Sequence, residues 1–276
     1  MFLITGCNGQ LGRELSARIP DAILTDKSEL DITDFNSVQD FVNQNKIDTI
    51  INCAAYTAVD RAETDIDIAQ KINCEGPKNL AKTGRKIVHI STDYVFDGTG
   101  HIPYTPSDMP NPVSVYGKTK LAGEQAVMKY STEYIIIRTA WLYSQYGNNF
   151  VKTMMRLGQE KESINVVSDQ IGTPTFAGDL ADAIVKILPQ INRNTSGIYH
   201  YTNLGVCSWY DFATAIMNIA KSKCRVNAIP SSEYPTAATR PFYSVLDKTK
   251  IMQTFGIQIP HWHASLINCM QQLQHM

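Results

Sequence analysis

Phe2-Leu3-Ile4-Thr5-Gly6-Cys7-Asn8-Gly9-Gln10-Leu11-Gly12 opens the chain. Phe2 to Thr5 reads as a buried strand, and Gly12 to Ile19 as an amphipathic helix, so the glycines at 6, 9 and 12 fall on the turn between them. Each glycine has a physical reason to be there. One permits a tight turn, one lets the backbone approach a pyrophosphate, and one lets helix and strand pack closely. The unpaired amides at the helix N-terminus then face the phosphates. Such a turn after the first strand is the position a dinucleotide-binding sheet requires, although glycine turns also follow strands in other settings.

Working outward, the same alternation continues. Strands are expected at Ala22 to Thr25, Thr49 to Cys53, Lys86 to Ser91 and Tyr134 to Arg138. Helices are expected at Ser37 to Gln44, Asp67 to Lys82 and Lys118 to Tyr130. Continuously apolar runs such as Ile135-Ile136-Ile137 suit strands covered on both faces, and strand–helix alternation implies right-handed crossovers and an open parallel sheet. The fold class is therefore α/β, a Rossmann-type doubly wound parallel sheet with a smaller C-terminal lobe. The expected division is 1–145 for the dinucleotide-binding domain and 146–276 mainly for the substrate-binding lobe, with about 164–190 returning to the first domain. In the later part, helices are expected at Gly178 to Leu188, Trp209 to Ala220 and His263 to Gln274.

Composition narrows the function classes. The chain has 276 residues, a hydrophobic fraction of 43% and a formal net charge of −1. That suits a full globular core and gives no electrostatic support for nucleic acid or a membrane surface as partner. Cys7, Cys53, Cys74, Cys207, Cys224 and Cys269 are scattered without a CxxC pair, as expected of free thiols in a reducing compartment. No apolar run reaches a membrane span and no signal-peptide core precedes Gly6, so a cytoplasmic location is expected.

Asp26 ends the second strand about twenty residues past Gly6, where an acidic side chain bonds ribose hydroxyls. It favours NADH over NADPH, because a carboxylate repels a 2′-phosphate; Lys27 beside it weakens that preference, and a plain turn Asp is the alternative. Asp31 and Ile32 are expected to border the adenine.

The chemistry concentrates in Tyr116-Gly117-Lys118-Thr119-Lys120. Tyr116 and Lys120 lie four apart at a helix start and share one face. A phenol ordinarily ionises near pH 10. A nearby ammonium is expected to lower that value and make Tyr116 a proton donor near neutrality. Ser91-Thr92-Asp93-Tyr94-Val95-Phe96-Asp97-Gly98 sets hydroxyls at the carboxyl end of a strand, where ligands bind in open α/β sheets. Thr92 is the expected hydrogen-bond donor to a substrate carbonyl, with Ser91 as its rival.

These motifs, with Asn52 to Glu63, Leu121-Ala122-Gly123-Glu124, Asp169 to Thr175 and Thr236 to Pro241, resemble the extended short-chain dehydrogenase/reductases over nearly the whole chain. Within them, the pattern is most similar to the dTDP-4-dehydrorhamnose reductase family. The resemblance implies NADH- or NADPH-dependent reduction of the C4 keto group of a dTDP-linked 4-keto-6-deoxy sugar, yielding dTDP-L-rhamnose for polysaccharide biosynthesis. It assigns the pyrophosphate to Gly9, Gln10 and Leu11, and a cofactor-lining role to Ala54, Ala55 and Tyr56. Thr92 and Asp93 would contact the sugar, while Tyr116 protonates the C4 oxygen and Lys120 holds the nicotinamide ribose. Trp141 offers a face to substrate or is a core Trp. Arg240 meets the substrate diphosphate or forms a surface ion pair. Asn73 supports the site through water or bonds a helix carbonyl.

The resemblance also leaves room for a homodimer and for Mg2+ at a subunit contact, with Glu14 as ligand or as an ordinary helical Glu. His261-Trp262-His263 lacks a third ligand and reads as a helix entry, not a zinc site. The alternatives are a reductase for another nucleotide-linked 4-keto sugar and a regulatory subunit that binds the dinucleotide without turnover; intact Thr92, Tyr116 and Lys120 argue against the latter.

Overall fold

A computed structural model describes residues 1–274. Its centre is a parallel sheet of six strands: β1 Phe2–Thr5, β2 Ile23–Thr25, β3 Thr49–Asn52, β4 Lys86–Thr92, β5 Tyr134–Thr139 and β6 Gly197–His200. Their spatial order is β6-β5-β4-β3-β1-β2, so the direction of winding reverses beside β1 and the glycine turn lies at that reversal. Paired positions run straight across: Ile4 opposite Ile51, Ile51 opposite Val88, and Val88 opposite Ile135.

Alternation along the strands supplies two cores. Ile4, Ile51, Val88 and Ile135 face α1 (Gln10–Arg18) and the helix Ala177–Ile187, with Leu11, Leu15, Leu180 and Ile184 completing that side. Leu3, Ile50, Ile87 and Ile136 face the other way, onto α2 (Phe35–Gln44) and α3 (Val115–Tyr130) through Val38, Val42 and Val127. Both layers are buried, which is why these strands read as unbroken apolar runs.

A third core gathers Val151, Met154, Phe212, Ile216, Trp262, Leu266 and Met270. Within the stretch 164–190, the helix Ala177–Ile187 packs on α1, whereas strand Ser163–Val167 pairs with Arg225–Ile229 beside this third core. The chain returns to the sheet again at β6 and at Ile251, Phe255 and Ile257.

Several elements have no counterpart in the sequence reading, among them β6, the helices Phe150–Glu160 and Thr249–Phe255, and the paired strands Ser163–Val167 and Arg225–Ile229. β6 is only Gly-Ile-Tyr-His, too short and mixed to signal a strand until β5 offers it an edge. The expected single helix Asp67 to Lys82 is an α-helix Ile66–Gln70, a wider π turn Lys71–Glu75 and a second α segment Gly76–Lys82. Among the described residues no helix is long and apolar enough to cross a membrane.

Candidate active site

A cleft of about 1050 Å³ opens at the carboxyl ends of β1, β3, β4 and β5. Its floor is the glycine turn. Gly6 has φ +66°, and a Cβ on Gly12 would lie 2.3 Å from the Gly6 carbonyl oxygen, so no side chain fits there. α1 starts at Gln10, its N-cap Gly9 has no side-chain cap, and the first amides are left for a ligand. This cradle fits a dinucleotide pyrophosphate.

Asp26, Asp31 and Ile32 line the neighbouring part of the cleft. The Asp26 carboxylate accepts the Asn8 and Lys27 amides at 3.2 and 2.8 Å, which orients it at the end of β2. Asp31 is held below the usual carboxylate range, chiefly by the Thr33 hydroxyl and amide. Ala54 and Ala55 line the wall after β3. Tyr56 does not: its hydroxyl donates to Asp65 at 2.6 Å, and its backbone amide and carbonyl both bond Asn73. Asn73 is thereby fully engaged, since its amide also donates to Thr119 at 3.2 Å. It staples the β3 loop to α3, and no water relay is needed to explain its burial.

Thr92, Asp93, Tyr116 and Lys120 converge at the opposite wall, together with Tyr94 and Ser91. α3 begins three residues before the expected Lys118, because Ser114 caps it by accepting the Gly117 amide at 3.1 Å. Tyr116 and Lys120 therefore stand on successive turns of one regular helix. Ser91 donates to Glu124 beneath the site, while Thr92, whose hydroxyl donates to Asp93 Oδ1 at 3.0 Å, is the one beside Tyr116. Thr92 also caps the turn Asp93–Val95 through the Tyr94 amide.

The electrostatics correct one expectation. The Tyr116 phenol is pushed up from its ordinary value, first by removal from water, against the Thr92 hydrogen bond that lowers it and with the Asp93 and Tyr94 charges adding to the rise. The Lys120 ammonium, which donates to the Ile90 carbonyl at 2.6 Å, is not among the groups that offset this rise. Burial lowers Lys120 itself to about 8, opposed by Glu124 one turn on. Asp93 is 2% exposed, its Oδ2 has no protein partner, and burial raises it to about 6.

Trp141 lines the cleft with φ +49°, a left-handed conformation rare for a bulky residue, and stacks on Trp209 at 3.6 Å between ring centroids. Arg240 is outside the lining; its guanidinium bonds Tyr94 and Asp60. Glu14 is buried, and its carboxylate accepts from Arg18 and Ser144, so it does not fit the part of a free metal ligand. Among the described residues no group of three or more His, Cys, Asp or Glu is placed to hold a metal. His261 and His263 flank the first residue of the helix Trp262–Gln274.

Sequence reasoning missed Gly147 and Asn148, which line the cleft across from the glycine turn. Their loop is pinned by Asn149, which donates to Gln10 at 2.9 Å across 139 residues of chain. No local pattern announces a contact of that span. Tyr94, by contrast, lies inside a stretch already singled out.

The family model described as RmlD substrate binding domain matches residues 1–275. The chain belongs to that family. Within it, the chain is 43% identical to a dTDP-4-dehydrorhamnose reductase of Aggregatibacter actinomycetemcomitans, over 97% of each protein. It superposes on a crystal structure of a dTDP-4-dehydrorhamnose reductase from Clostridium acetobutylicum with TM-score 0.95 and 46% identity, covering 99% of each chain. A dTDP-4-dehydrorhamnose reductase from Bacillus anthracis in complex with NADP matches with TM-score 0.94 and 43% identity, covering 98% of each. For an RmlD-family chain, the cleft just described is the candidate reaction site.

Proposed function

We propose that this chain reduces the C4 keto group of dTDP-4-dehydro-6-deoxy-L-mannose to give dTDP-L-rhamnose, with NADH or NADPH as reductant. The observation behind this reading is one cleft that joins the glycine cradle to Thr92, Asp93, Tyr116 and Lys120. Relatives of near-equal length bearing the reductase name support it.

When bound, the dinucleotide supplies a hydride. Gly6, Gly9, Gln10, Leu11 and Gly12 would hold its pyrophosphate and Asp26 its adenosine ribose, with Asp31, Ile32, Ala54 and Ala55 along its length. Lys120 would hold the nicotinamide ribose. Thr92, turning its hydroxyl away from Asp93 Oδ1, would donate to the substrate carbonyl and align it with Tyr116. The phenol, kept protonated by its surroundings, delivers its proton to the C4 oxygen and is later reprotonated from water. The unpartnered Asp93 oxygen accepts a sugar hydroxyl, and Trp141, backed by Trp209, supplies an apolar wall. Much of the rate would come from holding the ketone in line.

Tyr116→Phe is expected to lower turnover roughly a hundredfold or more while leaving thermal unfolding unchanged. The check is loss of reduced-dinucleotide absorbance with enzymatically made dTDP keto sugar. Near-normal turnover in this variant would remove Tyr116 as the acid. The same assay with each dinucleotide tests the NADH preference that Asp26 supports.

A further inference from the structure

Arg240 reaches the acid by an indirect route. The Tyr94 and Tyr116 rings meet edge to face, with centroids 5.5 Å apart and planes at 77°, a favourable aromatic geometry. The Tyr94 hydroxyl accepts from Arg240 Nη1 at 2.9 Å. Arg240 Nη2 donates to Asp60 Oδ2 at 2.6 Å, and the other Asp60 oxygen accepts the Ala238 amide at 3.1 Å. Asp60 therefore grips both the guanidinium and the backbone that carries it. Three distant segments meet here: the short helix Val59–Ala62 after β3, the turn Asp93–Val95 after β4, and the loop before Pro241.

The Arg240 side chain is a quarter exposed and the Asp60 side chain about two fifths, so as an ion pair they add little to stability. Their geometry is more informative than their energy. A planar fork bonded to a carboxylate on one nitrogen and a phenol on the other has a fixed direction. Tyr94 lines the cleft and Arg240 does not.

We propose that Asp60 and Arg240 are positioning residues that fix the Tyr94 ring and, through it, the direction in which Tyr116 presents its proton. This rests on the reductase reading above. Without the chain, Tyr94 turns on its side-chain bonds and Tyr116 loses its edge contact.

The kinetic signature differs from that of a phosphate ligand. With the dTDP keto sugar and NADPH, Tyr94→Phe, Asp60→Asn and Arg240→Ala are each expected to lower kcat about tenfold, with KM for the sugar nucleotide within about twofold. The pair Tyr94→Phe with Arg240→Ala should be no slower than the slower single variant, because the chain is cut either way. A tenfold rise in KM at unchanged kcat for Arg240→Ala, or losses that multiply in the pair, overturns the proposal. Crystal structures of Arg240→Ala and the milder Asp60→Asn give a readout independent of turnover: the Tyr116 ring leaves its present angle to Tyr94. An unmoved ring overturns the proposal too. Wild-type protein inert toward the keto sugar would instead defeat the reductase reading, and the ring positions would still decide this one.

Discussion

Tyr116 and Lys120 share a helix face, yet the structure gives them opposite charge problems. The phenol is pushed up by burial and by Asp93, so it stays protonated at neutral pH, as a proton donor in reduction must. The ammonium is the group at risk, because burial brings it down to about 8. A base with a lowered pKa loses its proton as pH rises through that value. The kcat/KM profile for the reduced dinucleotide is therefore expected to fall above about pH 8, and the limb belongs to Lys120. Glu124 is the leading charge that keeps Lys120 protonated, so Glu124→Gln should move the limb to lower pH. A limb near 10, unmoved in that variant, would contradict the assignment. The spacing of Tyr116 and Lys120 was legible in the sequence. That the ammonium would bond the Ile90 carbonyl was not, because β4 supplies that oxygen from another part of the chain.

At the scale of elements, the first turn of α3 is set by close backbone contact. A methyl group on Gly117 would fall 2.2 Å from the Tyr94 carbonyl oxygen, so only glycine lets the helix start rest on the turn after β4. Gly117→Ala is expected to push the two apart and lower kcat roughly ten- to a hundredfold, with dinucleotide affinity nearly kept. Steady-state kinetics with a fluorescence titration of NADPH checks this; an unchanged kcat would refute it. The π turn Lys71–Glu75 does related work, since it carries the Asn73 that joins the β3 loop to α3. The sequence there reads as one continuous helix because a single wider turn leaves no mark on the apolar spacing. Strands β1, β3, β4 and β5 were legible within about a residue, since buried parallel strands must be apolar on both faces.

Across the whole molecule, one buried ion pair ties the sheet to the catalytic helix. Arg138 on β5 and Glu124 on α3 are 1% and 0% exposed, joined by two hydrogen bonds of 2.9 and 2.7 Å. Ser91 on β4 shares the same carboxylate. Arg138→Met alone should lower stability by about 3–5 kcal/mol by leaving Glu124 charged and unpaired, while adding Glu124→Leu should recover much of it. Denaturant unfolding measures both, and a double variant no more stable than the single one would count against this account. From its sequence alone the chain determined the parallel sheet, the phosphate turn and the Tyr-Lys pair, because periodicity and short spacings are local and survive without a fold. Only the tertiary structure decided that Tyr56 and Arg240 stand outside the cleft lining, that β6 adds an edge to the sheet, and which charges bear on Tyr116. Those outcomes depend on which distant groups meet and how much water they lose, and neither is written in any one stretch of residues.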